Sequence, residues 1–337
     1  MSSKRVYIAY TGGTIGMKPS EKGFVPEAGY FAEQINKLPE LSYPDMPDIV
    51  VHEYDNLIDS SNITPDDWYR ISEDIKSVYD EFDGFIVLHG TDTMAYTASA
   101  LSFMLEDLSK PVIVTGSQIP WSQMRTDARD NLITSLLLAS QYDIPEVSLY
   151  FHNRLYRGNR ARKVDAIGFH AFQSPNFPAL VKVGAQIQVN QEILLKDPSK
   201  PLKINKIMQP KVVVLSLFPG FSADMLETVL NSGIQGVVLM TYGMGNAPCN
   251  DLKFLHLLSA ANHAGIIIVN CTQCLVGGVD MSSYETGQEL LRCGVISGFD
   301  MTPEATLTKL SYLLSSECSV DEIKQKMQIS LRGELSR

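Results

Sequence analysis

Short apolar runs alternate along the chain with segments whose apolar residues recur every three or four positions. The runs at 6–10, 49–54, 85–88, 112–115 and 147–151 are rich in β-branched and aromatic residues. Runs of this kind read as buried parallel strands, because such a sheet is covered on both faces. Between them the pattern predicts helices. Thr64-Pro65-Asp66-Asp67 offers an N-cap threonine, a proline at the first helical position and acids in the first turn. From there Trp68, Ile71, Ile75, Val78 and Tyr79 recur at helical spacing. Further helices are expected over 95–105 and 128–142. The alternation predicts an α/β fold with a mostly parallel sheet flanked by helices.

The periodicity weakens after Phe169. Residues 191–210 contain Asp197-Pro198-Ser199-Lys200-Pro201 and end on Pro210, which reads as an interdomain linker. A second α/β series follows, with strands at 212–217, 236–240 and 266–270. Its helices are expected over 223–230 and 252–264, with Ser222 and Asn250 as N-caps, and two more over 304–314 and 320–331. The expected division is a larger N-terminal α/β domain over 1–190, a linker over 191–210 and a smaller C-terminal α/β domain over 211–337. A chain of 337 residues suits two domains better than one core.

Composition narrows the function. The net charge of −10 argues against nucleic acid or anionic lipid as a partner. The compact basic stretch from Arg154 to Lys163 is either a solvated surface or a site for a small anion. No segment reaches the roughly 18 unbroken apolar residues of a membrane helix. Lys4 and Arg5 lead at once into a strand and a glycine loop, without a secretory pattern. Five cysteines, an odd count in a long chain, fit a reducing compartment, and the cytoplasm is the simplest location. The histidines show no metal-ligand spacing, so no metal or other cofactor is expected.

Two threonine-bearing segments follow predicted strands: Thr11-Gly12-Gly13-Thr14-Ile15-Gly16 and His89-Gly90-Thr91-Asp92-Thr93. Ligands in open α/β sheets sit beyond the carboxyl ends of the strands, so both loops are expected in one crevice. The glycine spacing matches neither nucleotide fingerprint. The glycines alone make a tight turn; Thr14 adds a hydroxyl able to attack a carbonyl. Such a hydroxyl needs a base nearby. Asp92 beside Thr91 offers one, although a Thr-Asp pair before a helix is more often a cap, through Asp92 or Thr93, a role compatible with catalysis. Lys163 acts as a base only if its pKa is lowered, and is otherwise an exposed lysine.

Asp59-Ser60-Ser61-Asn62 joins carboxylate, hydroxyls and amide ahead of a helix, for capping or for substrate recognition. Gly116-Ser117-Gln118-Ile119-Pro120 is a further polar loop at a strand end. His89 is expected to pin the loop around Thr91. Cys271-Thr272-Gln273-Cys274 has redox spacing but lacks a thioredoxin-like setting.

Together these segments resemble the bacterial cytoplasmic, type I L-asparaginases. The resemblance rests on both threonine segments and on Asp59-Ser60-Ser61, Thr115-Gly116-Ser117-Gln118-Ile119-Pro120, Arg157-Gly158-Asn159-Arg160 with Lys163, and Tyr242-Gly243-Met244-Gly245-Asn246-Ala247-Pro248. These span nearly the whole chain in order. The resemblance implies hydrolysis of L-asparagine to L-aspartate and ammonia. It makes Thr14 the nucleophile that forms an acyl-enzyme, and Thr91, Asp92 and Lys163 a second triad. Asp59, Ser60, Ser61, Gly90 and Asp92 would hold the α-groups of the substrate, with Ser117 near its side-chain amide. It also implies a homo-oligomer, dimer or tetramer, with segments 243–246 and 283–287 closing a neighbour's site.

Two positions depart from the family. The tyrosine usual in the mobile loop after the glycine turn is Phe24, which cannot relay a proton; Tyr30 or a water would have to replace it. Some relatives bind regulatory asparagine at a site with a cysteine matching Cys274. Its accompanying threonine and arginine are Arg162 and Met240 here, which argues against cooperative control. The rival readings are a glutaminase-biased enzyme, the amidase subunit of a tRNA-dependent pathway, a non-catalytic amino-acid sensor and a redox protein.

Overall fold

The computed structural model describes residues 4–336 apart from positions 22 and 28. The chain forms two compact units. The first holds the residues through Ser174 and Pro178–Asn205, and the second holds Pro175–Phe177 and the residues from Lys206 onward.

The strands of the first unit are β1 (Arg5–Gly12), β2 (Met17–Ser20), β3 (Gly23–Pro26), β4 (Asp48–Ile58), β5 (Gly84–Leu88), β6 (Leu105–Glu106) and β7 (Val112–Thr115). They continue with β8 (Val147–Phe151), β9 (Arg154–Arg157), β10 (Arg162–Lys163), β11 (Phe172–Gln173), β12 (Val181–Val183), β13 (Ile187–Val189) and β14 (Lys203–Ile204). Its helices are α1 (Tyr30–Ile35), α2 (Pro65–Ser77), α3 (Met94–Met104) and α4 (Ala128–Gln141).

The main sheet runs β13-β12-β9-β8-β7-β5-β1-β4. β4, β1, β5, β7 and β8 are parallel. β9, β12 and β13 extend the β8 edge in antiparallel fashion. The apolar runs become strands because both faces are covered. Tyr7, Ala9, Phe85, Val87, Val112 and Val114 share a core with Ile71 and Ile75 of α2 and Ala98 and Leu101 of α3. α4 packs on β1, β5, β7 and β8. A Cβ on Gly84 would lie 2.2 Å from the Ala139 carbonyl of α4, so this approach needs glycine.

The basic stretch is not a solvated surface. Its first residues form β9, and Arg157 and Arg160 are buried. Arg157 Nε lies 2.5 Å from the buried Glu146 carboxylate, so the charge enters the sheet already paired. Residues 191–205, within the stretch expected to be a linker, belong to the first unit. β14 pairs with β6, and Leu202 and Ile204 pack on the core. The prolines there mark an extended path along the surface, and two apolar side chains tie it down.

The second unit is a parallel sheet in the order β15 (Val212–Ser216), β16 (Gly236–Thr241), β17 (Ile267–Thr272) and β18 (Ile296–Ser297). Its helices are α5 (Ala223–Leu230), α6 (Leu252–His263), α7 (Glu285–Arg292), α8 (Pro303–Leu314) and α9 (Val320–Met327). Asp251, not Asn250, caps α6 and accepts from the Phe254 N–H. α9 stops at Met327, short of 331, because the following backbone has other partners. Lys309 Nζ donates to the Ile329 carbonyl at 2.6 Å and pairs with the Glu334 carboxylate at 2.5 Å. Glu334 in turn accepts from the Leu331 and Arg332 N–H groups.

Candidate active site

Four parallel strands deliver four polar loops to one sheet edge. Gly12 of β1 stands opposite Ile58 of β4, Tyr10 opposite Leu88 of β5, and Leu88 opposite Thr115 of β7. The loops that follow are therefore neighbours. Gly13, with φ +87°, presses onto Gly90: a Cβ at Gly13 would sit 2.4 Å from the Gly90 nitrogen. A Cβ at Gly90 would sit 2.5 Å from Ser60 Oγ. The loops of Thr14, Ser60 and Thr91 thus touch, and glycine at the two crossing points permits it.

Thr91 is the centre of the hydrogen bonding. Lys163 Nζ donates to Thr91 Oγ1 at 2.8 Å and to Asp92 Oδ1 at 2.8 Å. The Thr91 hydroxyl donates to Gln118 Oε1 at 3.2 Å. Lys163 is carried by β10, where it pairs with Phe172 of β11. The Asp92 side chain is 66% exposed, so this ion pair adds little to stability. Its effect is to aim the ammonium at Thr91. The capping alternative for this segment is not realised. Thr93 stands at the N-cap of α3 but makes no side-chain cap; its hydroxyl donates to the Ser60 carbonyl at 2.6 Å.

His89 holds the same loop from below. Trp68 Nε1 donates to Thr97 Oγ1 at 2.9 Å, and that hydroxyl lies 3.0 Å from His89 Nε2. His89 Nδ1 lies 2.7 Å from the Gly90 carbonyl, which can only accept. The ring therefore carries its proton on Nδ1 and accepts at Nε2. Burial, against the raising effect of the Gly90 carbonyl, pushes its pKa down to about 4, which matches a neutral ring.

The remaining expected residues are placed as follows. Thr14 opens the single turn Thr14–Gly16 after Gly13 and is half-buried. Ser60 is buried, whereas Asp59 and Ser61 are exposed. Asp59 accepts from the Ser61 N–H at 3.1 Å and so shapes its own turn. Ser117 is 1% exposed, and its hydroxyl has no partner among the described residues. Phe24 lies on the β2–β3 hairpin opposite Pro19 and is 47% exposed. Tyr30 opens α1. Cys274 is an exposed residue of the second unit, and neither it nor Cys271 forms a disulfide. Gln118 was visible only as part of a polar loop; nothing in its spacing marks it as the partner of Thr91. Among the described residues no group of three or more His, Cys, Asp and Glu side chains is arranged to hold a metal.

Residues 5–195 match the family model "Asparaginase, N-terminal", and residues 211–327 match "Glutaminase/Asparaginase C-terminal domain". The chain belongs to the asparaginase family. It is 51% identical to L-asparaginase 1 of Escherichia coli, over 100% of this chain and 99% of that protein. Its fold matches the crystal structure of L-asparaginase I from Vibrio cholerae with a TM-score of 0.93 and 50% identity, covering 100% of both chains. The thermostable L-asparaginase from Thermococcus kodakarensis matches with a TM-score of 0.89 and 34% identity, over 99% of each chain. The asparaginase assignment covers both units, so the resemblance carried by the motifs extends to the architecture around them.

Proposed function

We propose that this chain is an L-asparaginase that hydrolyses L-asparagine to L-aspartate and ammonia through an ester on Thr14. The observation that carries the reading is the Lys163 ammonium, 2.8 Å from both Thr91 Oγ1 and Asp92 Oδ1, in a loop pressed against the glycine turn of Thr14. In the first half-reaction Thr14 Oγ1 bonds to the carboxamide carbon, the C–N bond breaks, and the hydroxyl proton leaves with ammonia. In the second, water attacks the ester, its proton returns to the Thr14 oxygen, and aspartate departs. Lys163 donates to Thr91 in the resting site. Its charge therefore polarises the hydroxyl and any water held there, and backbone N–H groups near Thr91 take the developing oxyanion.

Ser60, with Asp59, Ser61, Gly90 and Asp92, holds the α-carboxylate and α-amino groups. The buried Ser117 hydroxyl, without a partner among the described residues, is available to the side-chain amide. The hydroxyl missing at Phe24 is replaced by Tyr30 or by water. The enzyme works in the cytoplasm as a homo-oligomer, and Arg162 and Met240 leave it without cooperative control through Cys274.

An ammonia-release assay with L-asparagine and L-glutamine tests the reading. The expected result is turnover of asparagine, with glutamine slower by about 10–200-fold for the extra methylene. No ammonia from asparagine would contradict it.

A further inference from the structure

We infer that Gln118 is a positioning residue of the proposed hydrolysis, fixing the direction in which the Thr91 hydroxyl points. The inference rests on the asparagine-hydrolase reading and adds to it a residue outside the two threonine segments.

A carboxamide has one accepting oxygen and one donating nitrogen, and the two ends of Gln118 are both engaged. Oε1 accepts from Thr91 Oγ1 at 3.2 Å, and Nε2 donates to the Gly168 carbonyl at 3.0 Å. The Gly168 oxygen cannot donate. Turning the carboxamide over would set two oxygens against each other, so the carbonyl of Gln118 must face Thr91.

Both supports of this amide are anchored. Asp165 Oδ1 accepts from the N–H groups of Ile167 at 2.8 Å and Gly168 at 2.9 Å. A Cβ on Gly168 would lie 2.4 Å from Asp165 Oδ2, so a larger residue there would push this carboxylate out of the turn it holds. On the other side Asp127 accepts from the Gln118 N–H at 3.1 Å and from the Ile119 N–H at 3.0 Å. Gln118 therefore braces the 116–120 loop against the turn that follows Lys163 in the chain.

The consequence falls on Thr91. Its hydroxyl has one proton and accepts from Lys163 Nζ at 2.8 Å. With Lys163 on the lone pair, the proton goes to Gln118. The oxygen is then held in one orientation instead of rotating, and orientation at a reacting centre is worth about 100-fold per ångström of misplacement.

Two variants separate this role from simple packing. Gln118→Met keeps the length and removes both hydrogen bonds. Its kcat is expected to fall by about 10–100-fold, with KM within about twofold of wild type. Gln118→Glu is the conservative probe. Ionised, it sets a second oxygen against the Gly168 carbonyl. Protonated, its C=O and O–H reproduce the glutamine pattern. The ratio of its kcat to that of wild type is expected to climb as pH falls from about 8 towards about 5, approaching the range where a glutamate takes up its proton.

Wild-type kcat in Gln118→Met, or a Gln118→Glu ratio that does not change with pH, would overturn the inference. If Gln118→Met does not fold, the pH profile of Gln118→Glu decides alone. An active wild type with an unimpaired Gln118→Met removes only the role of Gln118. A wild type that releases no ammonia from asparagine removes the hydrolase reading and this inference with it.

Discussion

His89 shows how much of the candidate site depends on a side chain buried beneath it. Its neutral ring passes a hydrogen bond from Thr97 to the Gly90 carbonyl, one residue before Thr91. In the unfolded chain this imidazole takes up a proton near 6.5, and in the folded chain only near about 4. Between those values the unfolded state binds more protons, so stability falls as pH falls through that window and is fully present above it. The loss attributable to His89 is about 3 kcal/mol at most. Urea unfolding at a series of pH values should show a steeper acid decline in wild type than in His89→Gln; equal slopes would contradict this. At this scale the sequence made Thr14, Thr91 and Asp92 legible, because small polar residues at the ends of apolar runs stand out. Gln118 did not stand out. Its role depends on Gly168, fifty residues away, and no local pattern encodes that distance.

The β2–β3 hairpin is the element that bears most directly on how Thr14 is activated in the proposed reaction. It follows the Thr14 turn directly, carries Phe24 opposite Pro19, and is clasped by an ion pair between Lys18 and Glu27. Phe24→Tyr restores a hydroxyl to an exposed position without disturbing packing. It is expected to raise kcat by up to about 100-fold, the lower end of what a positioned proton donor contributes. An unchanged steady-state rate would show that Phe24 is no catalytic deficit.

The parallel strands of both units were readable as apolar runs, except the two-residue β18. The antiparallel edge from β9 onward was not. Its hairpin turns on His152 and Asn153, with φ of 43° and 66°, where such turns usually advertise themselves with glycine. The arginines of β9 read as surface or as a small-anion site, because the buried carboxylate that neutralises Arg157 comes from Glu146, on the far side of β8 in the chain. α6 starts where expected but takes its cap from Asp251 instead of Asn250, and α9 ends early where Glu334 captures the backbone beyond it.

For the whole molecule, parallel connectivity is what gathers the chemistry. Loops that leave β4, β1, β5 and β7 at the same edge must lie side by side, so hydroxyls far apart in sequence converge without any long-range signal between them. The boundary of the first unit was harder to read. Two apolar residues, Leu202 and Ile204, hold a proline-rich stretch to its core, and composition alone outweighed them. The central claim is that the touching loops of Thr14 and Thr91 form one amide-cleaving centre. Its most direct test is the rate of ammonia release from L-asparagine by wild type, Thr14→Ala and Thr91→Ala. The account predicts steady turnover by the wild type and a loss of at least about 10³-fold in kcat for each variant; wild-type turnover by either alanine variant would contradict it.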